Sequence, residues 1–238
     1  MTTAARTTTT HEGHDWRAGA TTSARSSVAR VFLLSPANCN GRRGLQVASP
    51  RSAFGVATQL ASQDGVPLGE LFSFMSGLYF RGKITYARRF AASPDPTNPV
   101  VGAGIHIITS NAGLRSPETR ITRTALQAMA SGDIDPRNES YRRPLELSAA
   151  ALAQELGECE VVLLGSIASP KYVDVLVGIF GDRLLFPVDF VGRGDMSRGG
   201  LLLRRSAEGR ELEYIPVAGA SRRGGRPPKL DPSWRAPR

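Results

Sequence analysis

Residues 160–181, EVVLLGSIASPKYVDVLVGIFG, decide the fold class. Val161 to Leu164 form an unbroken apolar run, the pattern of a strand covered on both faces rather than one. Gly165 to Ser169 are mostly small, with hydroxyls at Ser166 and Ser169. Pro170 then suits the first turn of a helix, with Ser169 as its cap and Gly181 just past its end. A doubly covered strand followed by a short polar loop and a helix is the unit from which parallel sheets are built.

The same alternation extends in both directions. Strand-like runs are 29–35 (ARVFLLS), 104–109 (GIHIIT), 160–165 (EVVLLG), 183–187 (RLLFP) and 212–217 (LEYIPV). Helix-like runs are 51–63, 81–92, 120–131, 147–157 and 170–180, with Ser148 expected to cap SAAALAQELG and Gly157 to end it. The expected architecture is α/β, a mostly parallel central sheet of at least three parallel strands flanked by helices. No internal repeat is visible, and the Pro-rich segment 92–100 reads as a surface connection.

The chain of 238 residues is 41% hydrophobic and carries a formal net charge of +9 with a pI near 10.3. The charge is unevenly placed. Residues 31–217 are close to neutral, whereas 218–238 hold five Arg, one Lys and one Asp. High pI by itself therefore does not make the folded body a nucleic-acid binder. Residues 1–28 are rich in Thr, Ala and Arg and poor in large aliphatics, so they cannot offset their ordering entropy and are expected to be disordered. A single α/β domain over 29–217 and a flexible basic tail from 218 complete the expected organisation. No apolar run reaches the ~18 residues of a membrane span, and the N-terminus lacks a secretory core. The two cysteines, Cys39 and Cys159, suit a reducing, cytoplasmic compartment. No metal or cofactor is expected: His11 and His14 have no further His or Cys near them.

Ligands of open α/β sheets bind outside the carboxyl ends of the strands. Four such ends here are SPANCNGRRG, TSNAGLRSP, GSIASPKY and VDFVGRGDMSRGG. Four loops of amides, hydroxyls and cations at one sheet edge predict a shared crevice, against the alternative of four ordinary solvated loops. In the first, Ser35, Asn38 and Asn40 suit the edge of a base or sugar, or equally a turn set by Pro36; Arg42 follows. Cys39 beside Arg42 and Arg43 has the setting of a nucleophilic thiolate, but a small inert cysteine is the favoured reading. The second loop offers Ser110, Asn111 and Gly113, the glycine for a positive φ or a close backbone approach. His106 in the strand before it reads as a packed histidine. The third offers Ser166 and, inside the helix start, Lys171, where an anion can meet a helix N-terminus, although simple capping of the helix is the favoured reading. The fourth offers Arg193, Asp195 and Ser197. Asp195 is a weak catalytic candidate, because neighbouring arginines favour its ionised form and make it a better acceptor than base.

Three of these loops carry a resemblance. LLSPA at Leu33 to Ala37, IITSNAGLRSP at Ile107 to Pro117 and LLGSIASPKY at Leu163 to Tyr172 resemble the YaaA peroxide-stress protein family, and also the middle region of archaeosine synthase. LYFRGKITYARRFA, Leu78 to Ala91, is similar to the helix before the second strand in those proteins. The wider group looks similar to the uracil-DNA glycosylase fold. The resemblance implies a mixed α/β domain that handles DNA, a nucleobase or a modified nucleoside, with a link to the stress response. Two departures stand against hydrolysis: Asn38 replaces the lysine of the YaaA motif, and no water-activating glycosylase motif is present.

SRRGGRPPK, Ser221 to Lys229, resembles an AT-hook, with Gly224 in place of the first core Arg. Arg222, Arg223, Arg226 and Lys229 could meet phosphates around an A·T minor groove, or simply solubilise the chain. The sequence thus points first to a DNA-associated protein with a base- or nucleotide-binding crevice. The alternatives are an enzyme on a modified nucleobase or nucleoside (a glycosidase or base transferase) and a non-catalytic interaction module.

Overall fold

The computed structural model describes residues 1, 28–221, 224–225 and 227–234. The chain runs β1 (Arg30–Leu34), α1 (Arg42–Ala48), α2 (Gly55–Ala61), β2 (Val66–Pro67), α3 (Leu68–Ser76), α4 (Leu78–Phe90), β3 (Ile105–Ile108), β4 (Leu114–Arg115), β5 (Arg120–Ile121) and α5 (Arg123–Ser131). It continues through α6 (Glu139–Glu155), β6 (Glu160–Leu164), α7 (Pro170–Phe180), β7 (Leu184–Pro187), α8 (Asp195–Glu208) and β8 (Tyr214–Pro216). The main sheet has the order β4-β3-β1-β6-β7-β8; β3, β1, β6 and β7 are parallel, and β4 and β8 add antiparallel edges. A second, two-stranded sheet pairs β2 with β5.

All five expected strands form. β1 and β6 are central and hidden on both faces: Val31, Phe32, Leu33 and Leu34, like Val161 to Leu164, expose nothing. That is why their sequences are continuous rather than alternating. At the amino edge of β1, Arg30 pairs with Glu160 and Glu211, each at 2.6 Å. α7 matches its expected bounds, and Gly181 ends it at φ +56°. Gly157 likewise follows α6 at φ +52°.

The expected cap at Ser148 is corrected. α6 starts nine residues earlier, at Glu139, where the Asn138 side chain accepts the Ser140 N–H. Pro144 hides the continuity of this helix in the sequence. Ser148 is internal; its Oγ donates to the Pro144 carbonyl at 2.7 Å and accepts the Leu114 N–H at 2.8 Å. Gly113, at φ +69°, makes that docking possible, because a Cβ there would stand 2.2 Å from the Pro144 oxygen.

Three helices have no counterpart in the sequence reading: α1, α3 and α8. The most consequential is α8, which occupies half of what reads as a polar loop after the fourth strand. Its glycines lower helix propensity, yet tertiary packing requires them. α8 crosses α4 backbone to backbone: a Cβ on Gly82 would stand 2.6 Å from the Gly199 oxygen, and one on Gly199 2.7 Å from the Leu78 oxygen. Residues from 218 onward that are described also make contacts. Leu230 lies near Gly200, the Trp234 indole donates to Glu208 at 3.0 Å, and Arg204 stacks over the Trp234 ring. The expectation for residues 2–27 and the AT-hook arginines Arg222, Arg223 and Arg226 fall outside the described residues. Among the described residues no helix is long and apolar enough to cross a membrane.

Candidate functional site

The topology itself opens a crevice. The chain leaves β1 toward β3 on one side, then crosses back to β6 and continues to β7 on the other. Connections that diverge from adjacent parallel strands leave a gap above their carboxyl ends. Here β1 and β6 are in register through Leu34 and Leu164, and the Ser35 N–H donates to the Leu164 carbonyl at 3.2 Å. Ser35 and Gly165 therefore stand side by side at the sheet edge. Gly165 is required there, since a Cβ would meet the Tyr172 hydroxyl at 2.8 Å and the Ser35 Cβ at 2.9 Å.

Above this point lies a cavity of about 460 Å³. The β1 loop contributes Ser35, Pro36, Asn38 and Asn40; the β6 loop contributes Ser166 and Ser169 and the start of α7 Lys171 and Tyr172; Asp195, the first residue of α8, closes one side. Three of the four expected loops thus converge. In the first loop the Asn38 Oδ1 accepts the Asn40 N–H at 3.0 Å, closing a turn, and both residues also line the cavity.

The other candidates lie elsewhere. Ser110 is buried and donates to the Met129 carbonyl at 2.6 Å, in a small adjoining cavity of about 50 Å³ that also touches Asn38 and Cys39. Asn111 and Gly113 turn away with the β3–β4 connection; the Asn111 Oδ1 is buried without a hydrogen-bond partner. Arg42 is exposed at the start of α1 and does not line the cavity. Arg193 and Ser197 line a separate cavity of about 590 Å³ with Pro227, Pro228 and Lys229. Arg193 holds that edge together, donating to the Asp189 carbonyl, Ser197 and the Pro228 carbonyl at 2.9, 3.3 and 3.2 Å. The arginine beside Asp195 is instead Arg198, at 3.6 Å and one helical turn along.

Cys39 is buried, its thiol donates to the Ala37 carbonyl, and burial pushes it up to about 11. Raising a thiol from 9.0 to that value lowers its thiolate fraction on the order of 100-fold at pH 8. Ellman titration of the native chain at pH 8 is therefore expected to show slow reaction of Cys39 and of Cys159, which is also buried with its thiol shifted upward. Fast release of both thiols should appear only in denaturant; fast native labelling of Cys39 would restore it as a nucleophile.

The floor of the crevice holds residues the sequence reading passed over. Lys83, from α4, is 1% exposed; its Nζ lies 2.5 Å from the Ser35 carbonyl oxygen and 2.8 Å from the Ser35 Oγ. It also lies over the Tyr79 and Phe80 rings, 4.5 and 4.8 Å from their centroids. Burial pulls this amine from 10.5 down to about 7; Asp195 opposes the shift and Arg198 adds to it. Tyr79 and Tyr172 are both raised by burial. Tyr172 clamps the β6 loop: its hydroxyl accepts the Ser166 N–H and donates to the Ser166 carbonyl, both at 3.0 Å. A signal for Lys83 was present in the spacing. Tyr79, Phe80, Lys83, Ile84, Tyr86 and Ala87 repeat with a helical period, so the lysine falls on the apolar face of its own helix.

No family model, no curated protein and no solved structure matches this chain.

Proposed function

We propose that the protein is a nucleic-acid-associated protein whose crevice takes a nucleobase or nucleotide. The observation that carries the reading is the delivery of three carboxyl-end loops into one cavity of about 460 Å³, within the size range of small-ligand sites. A base needs apolar walls for its faces and donors and acceptors for its edge. Pro36, Ile134, Tyr79 and Tyr172 supply the former; Asn38, Asn40, Ser166 and Asp195 supply the latter. Lys171 and Ser169 at the start of α7 suit a phosphate, and the Ser169 side chain makes no capping bond of its own. The resemblance of the strand-end motifs to YaaA-type proteins, and through them to the uracil-DNA glycosylase fold, supports the same reading. DNA is the favoured nucleic acid, with the basic residues Arg222, Arg223, Arg226 and Lys229 meeting phosphates.

Calorimetry with a nucleobase, nucleoside and nucleotide panel tests the crevice. Asn38→Ala and Asp195→Ala are each expected to weaken the best ligand ~10-fold or more, as a polar partner left unpaired costs roughly 1–3 kcal/mol. Titrating duplex and single-stranded DNA at several salt concentrations tests the tail. Neutralising the four basic residues should flatten the salt dependence by ~0.9 in log–log slope per lost phosphate contact on duplex DNA. A panel without a binder, together with salt-insensitive or absent DNA binding, overturns the reading. The buried amine beneath Ser35 favours a second reading in which the bound ligand is also transformed.

A further inference from the structure

We propose that Ser35 and Lys83 form a serine–lysine pair that makes this crevice a hydrolase site for carboxylic esters or amides. The inference requires only the cavity and holds whether or not a nucleobase fills it. Its basis is an ordering in space. Lys83 is sealed from solvent, Ser35 lies between it and the cavity, and only Ser35 lines the cavity wall. The Ser35 Oγ is 2.8 Å from Nζ, within reach for proton transfer. The second contact, 2.5 Å to the Ser35 carbonyl oxygen, fixes the amine. A neutral amine donates N–H to that carbonyl and turns its lone pair to the Oγ–H, which is the arrangement a general base requires. Burial favours the neutral form near pH 7.

Among the described residues, the charged and titratable groups around the pair are Tyr79 on α4 and Asp195 and Arg198 on α8, which face Nζ, and Tyr172 on α7, which interacts with the Ser35 side chain. Asp195 favours the protonated amine and Arg198 the neutral one. Loss of Asp195 therefore shifts the active limb of a pH profile to lower pH.

In the proposed step the Oγ–C bond forms as the substrate carbonyl opens to an oxyanion, and the Oγ proton passes to Nζ. Collapse breaks the bond to the leaving alcohol or amine, which takes that proton. Water then attacks the acyl-serine, the same amine accepting and returning a proton, and releases the carboxylic acid. A purely structural lysine, capping the carboxyl end of β1, would do none of this.

The test is covalent labelling of the full chain by an alkyl fluorophosphonate between pH 6 and 9, read by intact mass and peptide mapping. Attack forms Oγ–P, expels fluoride and moves the proton to Nζ. The expected result is one adduct on Ser35, with a rate that rises through a midpoint near 7 and falls at least ~100-fold in Lys83→Met. Ser35→Ala should give no adduct, and Asp195→Asn should move the midpoint downward. Thermal melts confirm that each variant is folded; should Lys83→Met not fold, the pH midpoint in the unaltered chain and its shift in Asp195→Asn decide. A folded wild-type chain left unlabelled at Ser35 at every pH, or labelled without pH dependence in this range, overturns the proposal.

Discussion

Between pH 6.5 and 9.5, the chain is expected to gain stability relative to its Lys83→Met variant by roughly 3 kcal/mol. The gain follows from burial. The Lys83 amine is held near 7 in the folded chain and returns to 10.5 when unfolded. As pH falls, the unfolded chain takes up this proton first, so between the two values it binds more protons and stability rises with pH. Below about 7 both states carry the proton and the penalty of the buried charge is complete. Above about 10.5 neither does and the penalty is gone. At about 1.4 kcal/mol per pH unit, the whole interval is worth roughly 5 kcal/mol as an upper figure. Urea denaturation of both chains at several pH values measures it. The subtraction removes the contributions of His106 and Cys39, which burial also shifts. Parallel stability curves would show that Lys83 stays protonated in the fold, with polar compensation not visible in its contacts to Ser35.

The second large effect is steric. Gly82→Ala is expected to cost about 3 kcal/mol or more, lowering the melting temperature by roughly 6–12 °C for a chain of this size. The added methyl would meet the Gly199 oxygen at 2.6 Å and its Cα at 3.0 Å. Both are backbone atoms, so no side chain can swing aside. α4 and α8 must part, and α4 carries Tyr79 and Lys83 while α8 carries Asp195. Crevice binding should therefore weaken along with stability. Gly178→Ala is the matched control. It makes the same change inside α7, where a new Cβ has nothing within 4 Å, and it should leave stability unchanged or raise it by roughly 0.5–1 kcal/mol. Equal melting temperatures for the two variants would mean that the helices do not approach this closely in solution.

These two sites mark where sequence reading succeeds and where it stops. β1 and β6 were legible because their buried stretches, Val31–Leu34 and Val161–Leu164, are apolar at every position, and β3 because its isoleucines keep the same local pattern around a single buried histidine, His106. α7 was legible because Pro170 and Gly181 punctuate it. α8 was not, because Gly199 and Gly200 argue locally against a helix; the reason for Gly199, the crossing with Gly82, lies far away in the chain. α6 was cut short for a related reason: Pro144 reads as a break, and the Asn138 cap lies upstream of it. Within the crevice, Ser35, Asn38, Asn40, Ser166, Lys171 and Asp195 were found because they lie in the polar segments that follow the strands. Arg42, Arg193 and Ser197 follow strands too, yet helix geometry and the C-terminal residues draw them elsewhere. Lys83 escaped because a charged residue in a helix is ordinarily solvent-exposed.

By itself the sequence determined the layers of the fold and the sheet edge at which its polar strand-end loops gather. Continuous burial, helix punctuation and polar strand ends are all set by near neighbours. Only the tertiary structure decided which polar groups share a cavity and which lysine loses its water. Both depend on the crossing of α4 and α8 and on the register of β1 with β6. Those contacts join residues distant in the chain, and whether a charge is desolvated is fixed by everything packed around it.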